Sequence, residues 1–250
     1  LYIKSIKSKI YENFNQSFPF PKDGYMGENI EIIGEKIIKE LQITETNLTK
    51  IEDEEIRAAA IDLTLKIIKK DLIDLGIEYD NWFYESSLFT NKTIESIEKI
   101  LDKKNLLYKQ DGAKWFRSSS FFTDEDVVIN RSDDDGHTYF FSDMAYHYDK
   151  FKIRNFETVI NIFGADHHSH VNRLKSAISS FEIDVDKLKI LLTQIVHFKN
   201  EEKVQKFSKR SGNIYTVRDL ISMVGKDVCR FNFLNRSLDS QQEFDLELAT

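Results

Sequence analysis

The sequence predicts an α/β fold: a doubly wound parallel sheet in its second half, with a smaller α+β part before it and helices after it. Three observations lead there. From about residue 137, strand-like and helix-like stretches alternate, the order that builds parallel sheets. Between 93 and 130 one helical stretch precedes three short strand candidates. Amphipathic helical spacing fills the first 75 residues and returns after 217.

The elements follow in chain order. Residues 3, 6, 10, 11 and 14 are apolar, a helical spacing over Tyr2 to Phe14. Both prolines of the chain, Pro19 and Pro21, lie with two glycines between Ser17 and Gly27, a loop. Glu28 to Leu41 and Glu52 to Leu75 read as helices, with Gly76 as the stop of the second. Asn81-Trp82-Phe83-Tyr84-Glu85 is aromatic and strand-like. Thr93 to Lys103 is helical. Strand candidates follow at 106–109, 114–117 and 127–130, with Asp111-Gly112 as a hairpin turn. This segment reads as an insertion with its own small sheet. Tyr139-Phe140-Phe141 reads as a strand end, Ser142 to Phe151 as a helix, and Thr158 to Phe163 as a strand. Ser169 to Phe181 is then a helix and 189–196 a strand, and Val217 to Val224 and Asp227 to Leu234 close the chain as helices.

Bulk properties narrow the function. The chain has 250 residues, 41% of them hydrophobic, enough for a sizeable core. No apolar run approaches the roughly 18 residues of a membrane span, and no apolar segment follows a basic start as in a signal peptide. The single cysteine, Cys229, excludes an internal disulfide, fits a reducing compartment and is expected to be a small core residue. A net charge of -7 argues against a nonspecific nucleic-acid binder. Local patches still permit RNA: from Lys199 to Arg210 there are five basic and two acidic residues. The chain begins at Leu1 rather than Met, so a processed or excised piece is expected.

In open parallel sheets, ligands bind beyond the carboxyl ends of the strands, and three such ends carry polar residues. The first is Tyr139 to His147. Asp143 either favours a helix dipole, with Ser142 as the N-cap, or accepts a guanidinium through two parallel hydrogen bonds, with Tyr139 adding an acceptor or a stacking plane. The second is Phe163-Gly164-Ala165-Asp166-His167-His168-Ser169-His170. Gly164 permits close backbone approach, Asp166 suits ribose hydroxyls or a helix cap, and the imidazoles suit phosphate. His167 and His170, three apart, admit a metal reading, but no cysteine or zinc-type Glu pattern accompanies them. The third is Lys206-Phe207-Ser208-Lys209-Arg210-Ser211-Gly212, a loop fitted to hold a phosphate chain. Asp133-Asp134-Asp135-Gly136 is expected to be a tight turn, because its spacing does not match a calcium loop.

The lysine loop resembles the Lys-Met-Ser-Lys-Ser signature of class I aminoacyl-tRNA synthetases, and the remaining motifs narrow the resemblance to arginyl-tRNA synthetase. They run from Asp80-Asn81-Trp82-Phe83-Tyr84-Glu85-Ser86 through Gly112-Ala113-Lys114-Trp115-Phe116-Arg117 and Arg131-Ser132-Asp133. They continue at Gly136-His137-Thr138-Tyr139, Asp143-Met144-Ala145-Tyr146-His147, Gly164-Ala165-Asp166-His167-His168, Arg230-Phe231 and Phe244-Asp245-Leu246. The resemblance implies that Tyr139, Asp143 and His167 take arginine. Gly164, Asp166, His167 and Val196 would line the ATP pocket, and Lys206, Ser208 and Lys209 would hold and activate the triphosphate. It implies the substrates L-arginine, ATP with Mg2+ and tRNA(Arg), arginine activation only with tRNA present, a cytoplasmic location, no membrane and a monomer.

Two departures are minor: Phe207 stands for Met, and Arg210-Ser211 ends the signature. A third is larger. The His-x-Gly-His signature, which belongs to the first half of the nucleotide-binding fold, does not occur, and the family's N-terminal appended and C-terminal anticodon-binding domains have no counterpart. The expected organisation is therefore an internal fragment: an inserted or connective α+β subdomain over 1–136, the second half of a Rossmann-like catalytic domain over 137–216, and a helical junction over 217–250. The isolated fragment is expected to be inactive as a ligase. The alternative is a non-catalytic nucleotide- or RNA-binding module. An upstream His-x-Gly-His after a hydrophobic strand would separate the two.

Overall fold

A computed structural model describes residues 1–131, 136–200, 203–205 and 216–245. The expected turn at Asp133 to Asp135 and the loop with Lys206, Ser208 and Lys209 lie outside the described residues. The chain groups by contact into two compact units, residues 80–195 with 237–241, and residues 1–79 with the described parts of 196–236 and 242–250.

In the unit that contains the N-terminus, α1 (Tyr2–Asn13), α2 (Glu28–Glu40) and α3 (Asp53–Asp74) pack around Ile6, Ile10, Ile33, Ile37, Ile56 and Ala60. Their i, i+3 and i+4 spacing puts these side chains on the facing stripes. The Glu52 N–H donates to Glu55 Oε2 at 3.1 Å, which fixes the start of α3. Its end is a Schellman turn: Ile77 N–H reaches the Leu72 carbonyl, Gly76 N–H the Ile73 carbonyl, and Gly76 takes φ +78°. The helices α8 (Val217–Val224) and α9 (Lys226–Leu234) and the strands β6 (Val196–Asn200), β7 (Lys203–Gln205) and β8 (Gln242–Asp245) complete this unit. The sheet order is β7-β6-β8, with β6 parallel to β8. Cys229 is a buried core residue beside Leu75, Leu220 and Phe244, and burial pushes its thiol pKa up.

The other unit begins with α4 (Ser87–Thr90) and α5 (Thr93–Lys103), followed by β1 (Leu107–Gln110), β2 (Ala113–Phe116) and β3 (Val127–Asn130) in an antiparallel sheet. Asp111 and Gly112 turn the hairpin with φ of 50° and 75°, which only Asn, Asp or Gly adopt readily. Then come α6 (Tyr139–Tyr148), a π-helical turn over Asp149–Ile153, β4 (Val159–Gly164), a 3-10 turn over Ala165–His167, α7 (His168–Ser180) and β5 (Leu188–Thr193). β4 and β5 pair in parallel from Val159↔Leu188 to Gly164↔Thr193, with α7 as the connection. The small sheet does not have a separate core. Phe116 and Ile129 join Phe141, Met144, Leu174 and Ile178 in one continuous cluster.

Three expectations are corrected. Residues 81–85 form no strand, and Phe83 stacks on the Tyr146 ring at 4.2 Å instead of pairing in a sheet. Tyr139 to Phe141 opens α6 rather than ending a strand: Phe140, Phe141, Met144 and Ala145 are buried at helical spacing, and that periodicity outweighs the β-propensity of three aromatics. The N-cap of α6 is therefore Thr138, not Ser142. The apolar run 189–196 is two strands, because β5 ends at Thr193 and β6 starts at Val196, while Gln194 N–H bonds the Leu238 carbonyl between them. The polar pair Thr193-Gln194 sits at this break within the otherwise mainly apolar stretch.

Candidate active site

The carboxyl end of β4, the start of α6 and the edge of the small sheet enclose a cleft of about 560 Å³. Tyr139, Asp143 and His167 line it together, along with Trp115, Arg131 and His170. A second hollow of about 240 Å³ shares Tyr139 and Asp143 and adds Phe83, Glu85 and Tyr146. The three residues expected to meet arginine are thus brought to one place, with Tyr139 standing 87% exposed between the two spaces.

Asp143 is the fifth residue of α6, beyond the first turn, so the helix-dipole reading of it fails. Its Oδ2 instead accepts from His170 Nε2 at 2.8 Å. The Asp143 side chain is 43% exposed and that of His170 only 16%, so a half-buried ring holds the more open carboxylate that lines the cleft. Phe140 and Phe163 flank the His170 ring at 5.9 and 6.3 Å and fix its plane. Glu85 adds a second carboxylate to the smaller hollow, and the stacked Phe83–Tyr146 pair forms an aromatic wall. Two carboxylates beside an aromatic face suit a planar cation.

Gly164 and Asp166, expected to meet the nucleotide, are not among the residues that line either space. A Cβ on Gly164 would lie 2.5 Å from Asp166 Oδ1, so a side chain there would displace that carboxylate. Asp166 does not cap α7, whose N-cap is His167 with no side-chain cap bond. The Asp166 and His167 side chains are 67% and 59% exposed, with His167 Nε2 3.9 Å from Asp166 Oδ2. Val196 belongs to the other compact unit.

Sequence reasoning missed Glu85, Tyr146 and His170 as partners of Asp143. Glu85 and Tyr146 stand inside quoted motifs, but only the fold shows that they share a hollow. The sequence marks His170 for phosphate or metal, not as a partner of Asp143. Among the described residues no group of three or more His, Cys, Asp or Glu gathers where it could hold a metal ion.

The family model "tRNA synthetases class I (R), catalytic domain" matches residues 10–234. The chain belongs to that family. Among curated relatives, the arginine–tRNA ligase of Aquifex aeolicus is 40% identical over 99% of this chain and 42% of its own length, and that of Staphylococcus epidermidis is 38% identical over 98% of this chain and 44% of its own. The chain thus spans less than half the length of the curated relatives it matches. A Campylobacter jejuni structure described as an arginyl tRNA synthetase superposes with TM-score 0.83 and 28% identity over 97% of this chain and 52% of that one. The Thermus thermophilus arginyl-tRNA synthetase, at TM-score 0.65 and 12% identity over 99% of this chain and 56% of that one, shares the fold. The β4–α7–β5 unit is the Rossmann-like part of this class I chain, and no described helix is long and apolar enough to cross a membrane.

Proposed function

We propose that this chain is part of an arginine–tRNA ligase that activates arginine with ATP to arginyl-adenylate and transfers it to tRNA(Arg). The carrying observation is the hollow lined by Asp143, Glu85 and Tyr146. It offers two carboxylates and a ring to the one proteinogenic side chain that is planar, permanently cationic and able to make two parallel bonds to a carboxylate. In this reading Asp143 and Tyr139 read the guanidinium, and His167 faces both arginine and nucleotide. Gly164, Asp166 and Val196 hold the adenosine end, and Lys206, Ser208 and Lys209 bind the triphosphate and follow the charge that grows as pyrophosphate leaves. Magnesium enters with the ATP phosphates. The pieces 1–136, 137–216 and 217–250 would be the inserted subdomain, the second Rossmann-like half and the helical junction of a cytoplasmic, monomeric enzyme.

One surface supports the reading that the chain is a part. One face of the β4–β5 pair is covered by α7, while the other leaves Ile160 and Ile162 61% and 67% exposed. Parallel sheets are normally covered on both faces, so this face fits one that further chain packs against. The test is tRNA charging with labelled arginine. The whole ligase should charge tRNA(Arg), and the isolated 250 residues should fall by at least about a hundredfold to a thousandfold, the loss typical of one missing preorganised donor. Charging by the isolated chain at the whole protein's rate would refute the proposal that it is a part, and no arginine-specific charging by the whole protein would refute the activity.

A further inference from the structure

Below the hollow, buried polar groups tie α6 to β4, and the chemistry proposed above does not use them. His147 Nδ1 lies 2.7 Å from the Asp143 backbone carbonyl. A carbonyl only accepts, so the ring proton sits on Nδ1, and Nε2 is left as an acceptor. Asn161 of β4 meets it, with Nδ2 at 2.6 Å. The other end of the same amide, Oδ1, accepts from Lys150 Nζ at 3.1 Å. That ammonium lies 4.1 Å from the centre of the Tyr146 ring. The path therefore begins at Asp143 and ends under Tyr146, both of which line the hollow.

Its placement is not what stability alone would select. Asn161 faces inward on β4 beside Val159, and both it and His147 are nearly inaccessible to water. A buried amide and imidazole are costly unless every donor and acceptor is met, and an apolar pair would serve a plain core position. What a satisfied polar chain adds is a unique geometry. Burial, with Lys150 as the next cause, holds the His147 pKa down at about 4, while the nearby Asp143 raises it and His170 lowers it further. The ring is therefore neutral at physiological pH, and its donor and acceptor ends stay assigned.

We infer that Lys150, Asn161 and His147 form a positioning relay that sets the Asp143 carboxylate and the Tyr146 ring at the spacing a guanidinium requires. The inference rests on the reading of Asp143 as the guanidinium acceptor. His147 and Asn161 touch no substrate; they fix α6 in depth against β4, and Lys150 carries that position to the Tyr146 ring.

The test compares two substitutions of one residue in the whole ligase. Gln in His147→Gln places its amide oxygen near the old Nε2 and keeps the bond from Asn161. Asn in His147→Asn reaches only as far as the old Nδ1, so it keeps the bond within α6 and loses the one to β4. Arginine and ATP Michaelis constants are read by ATP–pyrophosphate exchange with tRNA present, and melting temperatures are recorded for each variant. His147→Asn and Asn161→Ala should raise the arginine constant about tenfold with ATP within about twofold, while His147→Gln stays within about threefold of the parent. Lys150→Met, at a half-buried site that should fold in any case, should raise the arginine constant about threefold. Equal behaviour of the Gln and Asn variants, or parallel rises for arginine and ATP, would overturn the relay. Should the His147 and Asn161 variants fail to fold, an unchanged arginine constant in Lys150→Met overturns it alone. Asp143→Asn, run alongside, separates the two levels. A raised arginine constant there with silent relay variants removes only the relay, and an unchanged one removes the site reading with it.

Discussion

The groups proposed to meet arginine and those proposed to meet the nucleotide are built by opposite means. At the arginine end a carboxylate on a core-packed helix is aimed by His170, which two phenylalanines hold in place. At the nucleotide end Asp166 and His167 stand on a short 3-10 turn, mostly exposed, and Asp166 leans on the backbone of Gly164. The difference teaches where discrimination can come from. A preorganised, partly buried carboxylate pays little reorganisation when a cation arrives, so it can reject neutral analogues. Exposed groups on a turn are weak partners alone and gain strength when further chain or substrate covers them. On the proposed reading, selectivity for the amino acid belongs to the fold of this unit, and grip on the nucleotide to its more exposed groups.

Substitutions can break or sharpen that contrast. The largest expected effect is at Asp143. Asp143→Asn in the whole ligase should raise the arginine Michaelis constant by some 30-fold or more, the range of about 2–5 kcal/mol for breaking a hydrogen-bonded charge pair, while the ATP constant moves far less. Comparable shifts for both substrates would erase the contrast.

Next is a dependence of stability on pH. His147 titrates near 4 in the folded chain, below its ordinary 6.5. Between those values the unfolded chain holds more protons, so stability rises with pH through that window and is lost as pH falls from 6.5 toward 4. Its full size is about 3 kcal/mol. His147→Gln, which cannot titrate, should flatten that part of the melting-temperature profile measured between pH 4.5 and 7. An unchanged slope would place the ring in contact with water and undo the rigid arginine end.

The smallest effect is expected at the nucleotide end. Asp166→Asn removes an exposed charge, so the ATP constant should rise only about threefold to fivefold, with arginine unaffected. A loss as large as at Asp143 would show that this end is as preorganised as the other.

Much of this architecture was legible in the sequence where one period dominated. Thr93–Lys103 carries apolar residues at 94, 97 and 101 and folds as the helix that this spacing predicts, and Asp111-Gly112 turns its hairpin through positive φ at both residues. Where propensity and packing disagreed, packing prevailed: Tyr139-Phe140-Phe141 favours strands locally but is helical because its buried partners lie four residues on. The motif at Asp143 marked a candidate site, but not the side chains packed around it. Glu85 and Tyr146 are 61 residues apart in sequence, and no spacing rule joins residues across such a gap. Asn161 stands between apolar residues of β4. Only its bonds to His147 and Lys150 explain why an amide sits there.

The central claim is that the hollow of Asp143, Glu85 and Tyr146 reads a guanidinium by charge and paired bonds. Citrulline, nearly the same in shape but neutral, tests it most directly in competition with arginine for activation by the whole ligase. The parent protein should prefer arginine by roughly ten-thousandfold, because citrulline lacks the charge and carries an acceptor oxygen where arginine has N–H donors, and Asp143→Asn should lose most of that preference. An Asp143→Asn enzyme that discriminates as well as its parent would contradict the account.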